Sequence, residues 1–184
     1  MKSEYEKMRS QELYNFEDKE ISASLSHAKE MCRRLRGMTI NDEDYRGVIE
    51  ELIPGIPKTS TVNPPFCCDH GNGITIGENT FINCNCTMLD GGRITIGNNV
   101  LIGPNCQLYT PQHPFNHIER RKKEETSFPI TIGDDTWLCG GVIVCPGVKI
   151  GKRCIIAAGS VVINDVPDDC MVAGNPAVVK KKTC

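Results

Sequence analysis

The chain has 184 residues, of which 39 % are hydrophobic and 24 % charged, with a formal net charge of −2. That length can bury a real core as one domain, and so even a charge balance gives no footprint for nucleic acid or an anionic membrane. The first thirty residues are rich in Lys and Glu and lack a signal-peptide core. The longest nearly apolar run, CIIAAGSVVI at 154–163, is half of a membrane span, so a cytoplasmic protein is expected.

Residues 1–57 read as a helical segment. Ile21, Leu25, Ala28, Met31 and Leu35 recur at helical spacing over a charged stretch, 3–36, that Gly37 closes. A second helix is expected in NDEDYRGVIEELIP, with Asn41 as N-cap and Pro54 as stop. Both should cover one end of the domain built by residues 58–184. GIPKTSTVNPPF, rich in Pro and Thr, is a connection.

From residue 74 the chain repeats every six residues: ITIGEN, TFINCN, CTMLDGG, ITIGNN, VLIGPN and CQLYTP, then, after a break, ITIGDD, TWLCGG, VIVCPG, VKIGKR, CIIAAG and SVVIND. The third position is always aliphatic or Met: Ile76, Ile82, Met88, Ile96, Ile102, Leu108, Ile132, Leu138, Val144, Ile150, Ile156 and Val162. A helix would place apolar residues at spacings of three and four. A strict hexad instead predicts short extended flats joined by tight corners, one inward aliphatic per flat, in a β-helix. Twelve hexads at three per coil make about four coils. The first positions, among them Cys86, Cys106 and Cys154, are small or β-branched and should also point inward. Gly97, Gly103, Gly133 and Gly151, with Asn98 and Asn99, are expected to supply positive φ at corners. The predicted class is mainly β: residues 58–184 form the β-helix, with N-terminal α-helices before it.

Two places break the period. LDGG adds two residues between Met88 and Ile96, and eighteen extra residues separate Leu108 from Ile132. The latter leave the coil as an extruded loop, 109–129, holding His113, His117 and four basic residues, Arg120 to Lys123. So long a loop is usually functional or disordered. The four cations read as a solvated tip. A metal pair of His113 and His117 on a helix is opposed by Pro114, and no C-x-x-C exists among the eleven cysteines, which read as reduced packing thiols, so no metal is expected.

The hexads, the loop HP, PPFCCDHGNGITIG, LDGG, SFPITIGDDTWLCGG, the closing GNPA and the N-terminal KMRSQELYNFED together resemble the hexapeptide acyltransferases with a left-handed parallel β-helix, and within them the maltose/galactoside O-acetyltransferase group. The resemblance implies direct transfer of acetyl from acetyl-CoA to a sugar hydroxyl in a homotrimer, with sites between subunits. His113 would be the general base, since a neutral imidazole can take the attacking hydroxyl's proton. Asp18, Asp69, Asn83 and Glu125 would bind the acceptor sugar, Glu125 alternatively orienting His113. Trp137, Gly140, Ala158 and Ile163 would line the pantetheine groove, and Lys180 and Lys181 would meet the phosphates. Gly140 stands where some relatives carry serine, so an oxyanion contact there would come from backbone N–H. Remaining readings are another acceptor (an antibiotic, serine or a nucleotide amino sugar), a metal-dependent or inert β-helix, and an acyl-cysteine route through Cys67 or Cys68.

Overall fold

The computed structural model describes residues 1–183. Its body is a parallel β-helix with three faces. The first stacks Thr61–Val62, Phe81–Ile82, Leu101–Ile102, Trp137–Leu138, Ile155–Ile156 and Cys170–Gly174, and adds Ala177–Lys182 as an antiparallel edge. The second stacks Phe66–Cys68, Cys86–Leu89, Gln107–Tyr109, Ile143–Val144 and Val161–Val162. The third stacks Ile74–Ile76, Ile94–Ile96, Ile130–Ile132 and Lys149–Ile150, continued by a bridge from Ile150 to Val166. The twelve hexads thus build four coils as expected. Four further flats, two before residue 74 and two after residue 163, extend the stack without hexad spelling.

All twelve third-position side chains are at most 5 % exposed, each contributing roughly 1.5–3 kcal/mol by burial. The first positions are buried too, and the polar ones do more than fill space. Thr80 and Thr136 donate from Oγ1 to the carbonyls of Gly97 and Gly151, both at 2.8 Å. Cys86 donates from Sγ to Gly103 O at 3.3 Å, and Cys106 to Cys139 O at 3.1 Å. These bonds join a corner to the next coil, where the ladder of the flats does not reach.

The corner glycines have a different cause from the one expected. Positive φ falls on the sixth position, at Asn79, Asn85, Asn99, Asn105 and Asp135, for example, and not on Gly97, Gly103, Gly133, Gly151 or Asn98. Those glycines are needed because successive coils touch there: a Cβ on Gly133 would stand 2.7 Å from the Gly151 carbonyl carbon, and one on Gly103 2.7 Å from Gly140 N.

The N-terminal segment departs from the expected long helix. α1 spans Glu4–Arg9 under a capping box of Ser3 and Glu6; α2 spans Lys19–Leu35, started by Asp18, whose carboxylate accepts from Glu20 N and Ile21 N. Between them Tyr14–Asn15 is extended. α3, Tyr45–Leu52, starts after Asp44 rather than at Asn41, because Asp42 turns back onto Thr39 and closes a separate turn. Pro54 does lie just past its end. α2 and α3 share one apolar cluster with the first coils, through Ala28, Leu35, Val48 and Ile49 against Val62, Phe66 and Ile74. Tyr45 Oη donates to Val62 O at 2.7 Å and accepts from Val62 N at 3.1 Å, which satisfies the first strand's open edge.

The loop is ordered by its own pairing. Pro111–Gln112 and Glu124–Ser127 form an antiparallel ribbon, and Tyr14–Asn15 adds a third strand with Tyr14 opposite Glu125. The N-terminal segment is therefore built into the loop.

Candidate active site

The ribbon holds its inner face over the corner between the second and third faces, where β-strand Phe66–Cys68 runs into Asp69 and His70. LDGG shapes this corner. Asp90, fully buried, accepts from His70 N at 2.8 Å, Gly73 N at 2.9 Å and Asp69 N at 3.2 Å. Arg9 of α1 donates to the carbonyls of Asp90 and Gly91. Asp90 is thus the brace that fixes Asp69.

Between ribbon, corner and helices lies a cleft of about 190 Å³. Asp69, His70, His113 and Glu125 supply its polar lining; Met8, Tyr14, Phe16, Ile21 and Leu25 supply apolar and aromatic walls. Three of the sequence candidates, His113, Asp69 and Glu125, therefore meet in one place. His113 Nε2 stands 3.5 Å from Glu125 Oε2, with His113 half exposed and Glu125 largely covered. The edge of His113 meets the Phe16 ring, centroids 6.0 Å apart. Glu125 Oε1 accepts from Tyr14 Oη, which also lies 3.0 Å from Ser127 Oγ.

Electrostatics separate the surroundings of Asp69 and His70. Burial first, then the carboxylates of Asp90 and Glu125, pushes Asp69 up to about 6, against the pull of Lys29. Burial pushes His70 down to about 4, and its Nδ1 lies 2.9 Å from Ser24 Oγ. His70 is a neutral packing histidine that ties α2 to the corner.

The other candidates lie elsewhere. Asp18 caps α2 and does not line the cleft. Asn83 sits at the corner between the first and second faces, where its Oδ1 accepts from Cys84 N at 2.8 Å. Gly140 and Ala158 occupy that same edge two and three coils on, and Gly159 N donates to Gly140 O at 3.0 Å. The Gly140 N–H itself has no acceptor among the described residues. Trp137, 47 % exposed, and Leu101, 50 % exposed, are neighbours in an outward apolar row on the first face. Lys180 and Lys181 are exposed on the ordered edge strand Ala177–Lys182 of that face. Ile163, 49 % exposed, stands at the opposite corner, on the loop's edge.

His117 and the four loop cations are exposed, as expected of a tip. Lys123 also pairs with Glu17 at 3.1 Å, and its carbonyl accepts from Phe16 N. Cys68 is buried with its Sγ 3.9 Å from Cys32 Sγ. That contact, together with burial, pushes the Cys68 thiol well above its ordinary range. Neither Cys67 nor Cys68 has a histidine partner among the described residues, so the geometry offers no activated cysteine. Ten cysteines, all those described, are free. Among the described residues no three His, Cys, Asp or Glu converge as a metal cluster, and no helix is long and apolar enough to cross a membrane.

Sequence reasoning missed Tyr14, Phe16 and His70. The signal for the first was present only in the ELY segment, whose aromatic falls opposite a loop residue 111 positions away.

The stacked coils, extruded ribbon and carboxylate-imidazole cleft define a parallel β-helix with one elaborated corner. The bacterial transferase hexapeptide family, described as six repeats, matches residues 129–164. A putative acetyltransferase of Saccharomyces cerevisiae is 47 % identical over 142 residues, 77 % of this chain and 72 % of that protein. A hexapeptide-repeat acetyltransferase of Vibrio cholerae, solved with acetyl-coenzyme A, superposes with a TM-score of 0.92 at 41 % identity over 100 % of both chains. A maltose O-acetyltransferase of Clostridium difficile gives 0.95 at 36 % identity over 98 % of this chain and 97 % of that one. The chain belongs to the hexapeptide-repeat acetyltransferases, and its fold is their left-handed parallel β-helix.

Proposed function

We propose that this protein transfers acetyl from acetyl-CoA to a hydroxyl of a sugar of the maltose, glucose or galactoside type, with His113 as general base. The observation that carries the reading is the cleft in which His113, Glu125 and Asp69 face one another beneath an apolar wall. A sugar ring has apolar faces and a hydroxyl rim, and this lining suits both. The likeness to a maltose O-acetyltransferase and to an acetyltransferase solved with acetyl-coenzyme A supports acceptor and donor in turn.

In this reading His113 takes the proton of the attacking hydroxyl and returns it to the departing thiolate. Glu125 steadies the imidazolium that forms between those events. Asp69 binds acceptor hydroxyls. The free N–H of Gly140 is suited to the oxyanion. Trp137, Gly140, Ala158 and Ile163 border the pantetheine arm, and Lys180 and Lys181 meet the phosphates as point charges.

Gly140, Ala158 and Asn83 stand on one edge of the prism, Ile163 and the base on another. A homotrimer sets one chain's first face against the neighbour's loop edge and completes each site, and the exposed row of Leu101 and Trp137 supplies the apolar contact. Measuring thiol release from acetyl-CoA with maltose, glucose, a galactoside, serine, an amino-sugar nucleotide and a hydroxylated antibiotic tests the reading. Release driven by the sugars supports it; release confined to the other acceptors replaces the substrate class, and none at all rejects the activity.

A further inference from the structure

The buried hydroxyl of Tyr14 is not used by the proposed transfer. Tyr14 is 2 % exposed, and strand pairing sets it directly across from Glu125. Its phenol is held far above its ordinary range, by burial first and by the Glu125 hydrogen bond second, so it stays a donor at every working pH. An ionised Glu125 can only accept, so Tyr14 donates to Oε1, and the fully buried Ser127 hydroxyl, 3.0 Å away, donates to Tyr14 in turn. The carboxylate's other oxygen, Oε2, is the one that faces His113 Nε2 at 3.5 Å.

We propose that Tyr14 is a positioning residue for acyl transfer: its hydroxyl anchors one oxygen of Glu125 so that the other is held at the His113 ring. The chain Ser127–Tyr14–Glu125–His113 then runs from buried core to half-exposed base. Without the anchor Glu125 can rotate towards solvent, and the imidazolium loses the charge that stabilises it. Partners that orient metal-bound histidines at one remove are typically worth about 10–100-fold, and an effect of that size is expected for a histidine base oriented in the same way. The proposal rests on His113 being the base.

The test is Tyr14→Phe, assayed with acetyl-CoA and maltose beside His113→Ala and Glu125→Gln. Phe fills the same space, so the fold should hold. The expected result is a fall in kcat of about 10–100-fold, with KM for acetyl-CoA unchanged. Tyr14→Phe added to Glu125→Gln should cost nothing further, since both act through one path. If Tyr14→Phe does not fold, Ser127→Ala removes the donor behind the phenol and should show a smaller fall in kcat, again with KM for acetyl-CoA unchanged. A Tyr14→Phe enzyme with the parent kcat, or losses that multiply in the double variant, overturns the proposal while leaving His113 in place. An active His113→Ala enzyme overturns the base assignment, and Tyr14's role falls with it.

Discussion

Glu125 and Asp69 reach one cleft from opposite sides of the molecule's long insertion: Glu125 from the extruded ribbon, Asp69 from the coil corner beneath it. His113 lies against the ribbon acid, 3.5 Å away. Replacing His113 by Ala should lower turnover by about 10²–10⁴, the usual worth of a general base. Binding of acetyl-CoA, read by calorimetry, should survive. A variant with normal turnover would remove His113 from the chemistry.

Asp69 should tie stability to pH. Its carboxyl rises from 3.8 unfolded to about 6 folded, so the folded state holds the proton more tightly. The resulting stabilisation is complete below pH 3.8 and is lost as pH rises through 6, on the order of 2 kcal/mol. Asp69→Asn should therefore be more stable than the parent at pH 7, the advantage shrinking to nothing near pH 4. His70, lowered from 6.5 to about 4, acts in the opposite sense in both proteins: its contribution is whole above 6.5 and lost on acidification to 4. The difference between the two melting curves across pH isolates Asp69. A constant difference would contradict the burial that raises it.

Shared sites should show complementation. In a 1:1 mixture of His113→Ala chains and chains carrying a bulky residue at Gly140, about a quarter of the sites in random trimers combine an intact base with an intact donor edge. Mixing after denaturation and refolding should thus restore activity that neither parent has. Full activity in an isolated single chain would defeat the shared site.

The inward cysteines should behave as corner donors. Cys86→Val deletes the S–H that meets Gly103 O and should cost on the order of 1 kcal/mol, read as a lowered denaturation midpoint. Cys86→Thr, which restores the pattern seen at Thr80 and Thr136, should cost less. Both should retain transfer activity. Equal losses for Val and Thr would mean that only volume matters there.

Residue periodicity makes the core legible, because a buried aliphatic every six residues has only one geometric solution, and His113 stands out where that period fails. Other features depend on contacts that spacing does not encode. Gly103 and Gly133 have the look of turn formers, yet what excludes a side chain is the backbone of the next coil, 37 and 18 residues away at Gly140 and Gly151. Tyr14 falls within a charged stretch of helical pattern, but its strand partner lies in the loop. Asp18 has the look of a ligand and serves α2 as its cap. The sixteen flats exceed the twelve hexads for a similar reason: Val62, Phe66, Val166 and Val172 are buried like their neighbours, but prolines and acidic corners around them hide the rhythm.

The insertion after Tyr109 also bears on how such a protein can change. Adding eighteen residues to one connection raises its loop-closure entropy by only about 1 kcal/mol, since that term grows with the logarithm of length. The flats on either side, Gln107–Tyr109 and Ile130–Ile132, keep their parallel partners above and below. Ribbon and N-terminal strand are thus a detachable tool on an indifferent mount. A lineage can recut this cleft by exchanging those two segments together, but not either one alone, because each holds the other in place.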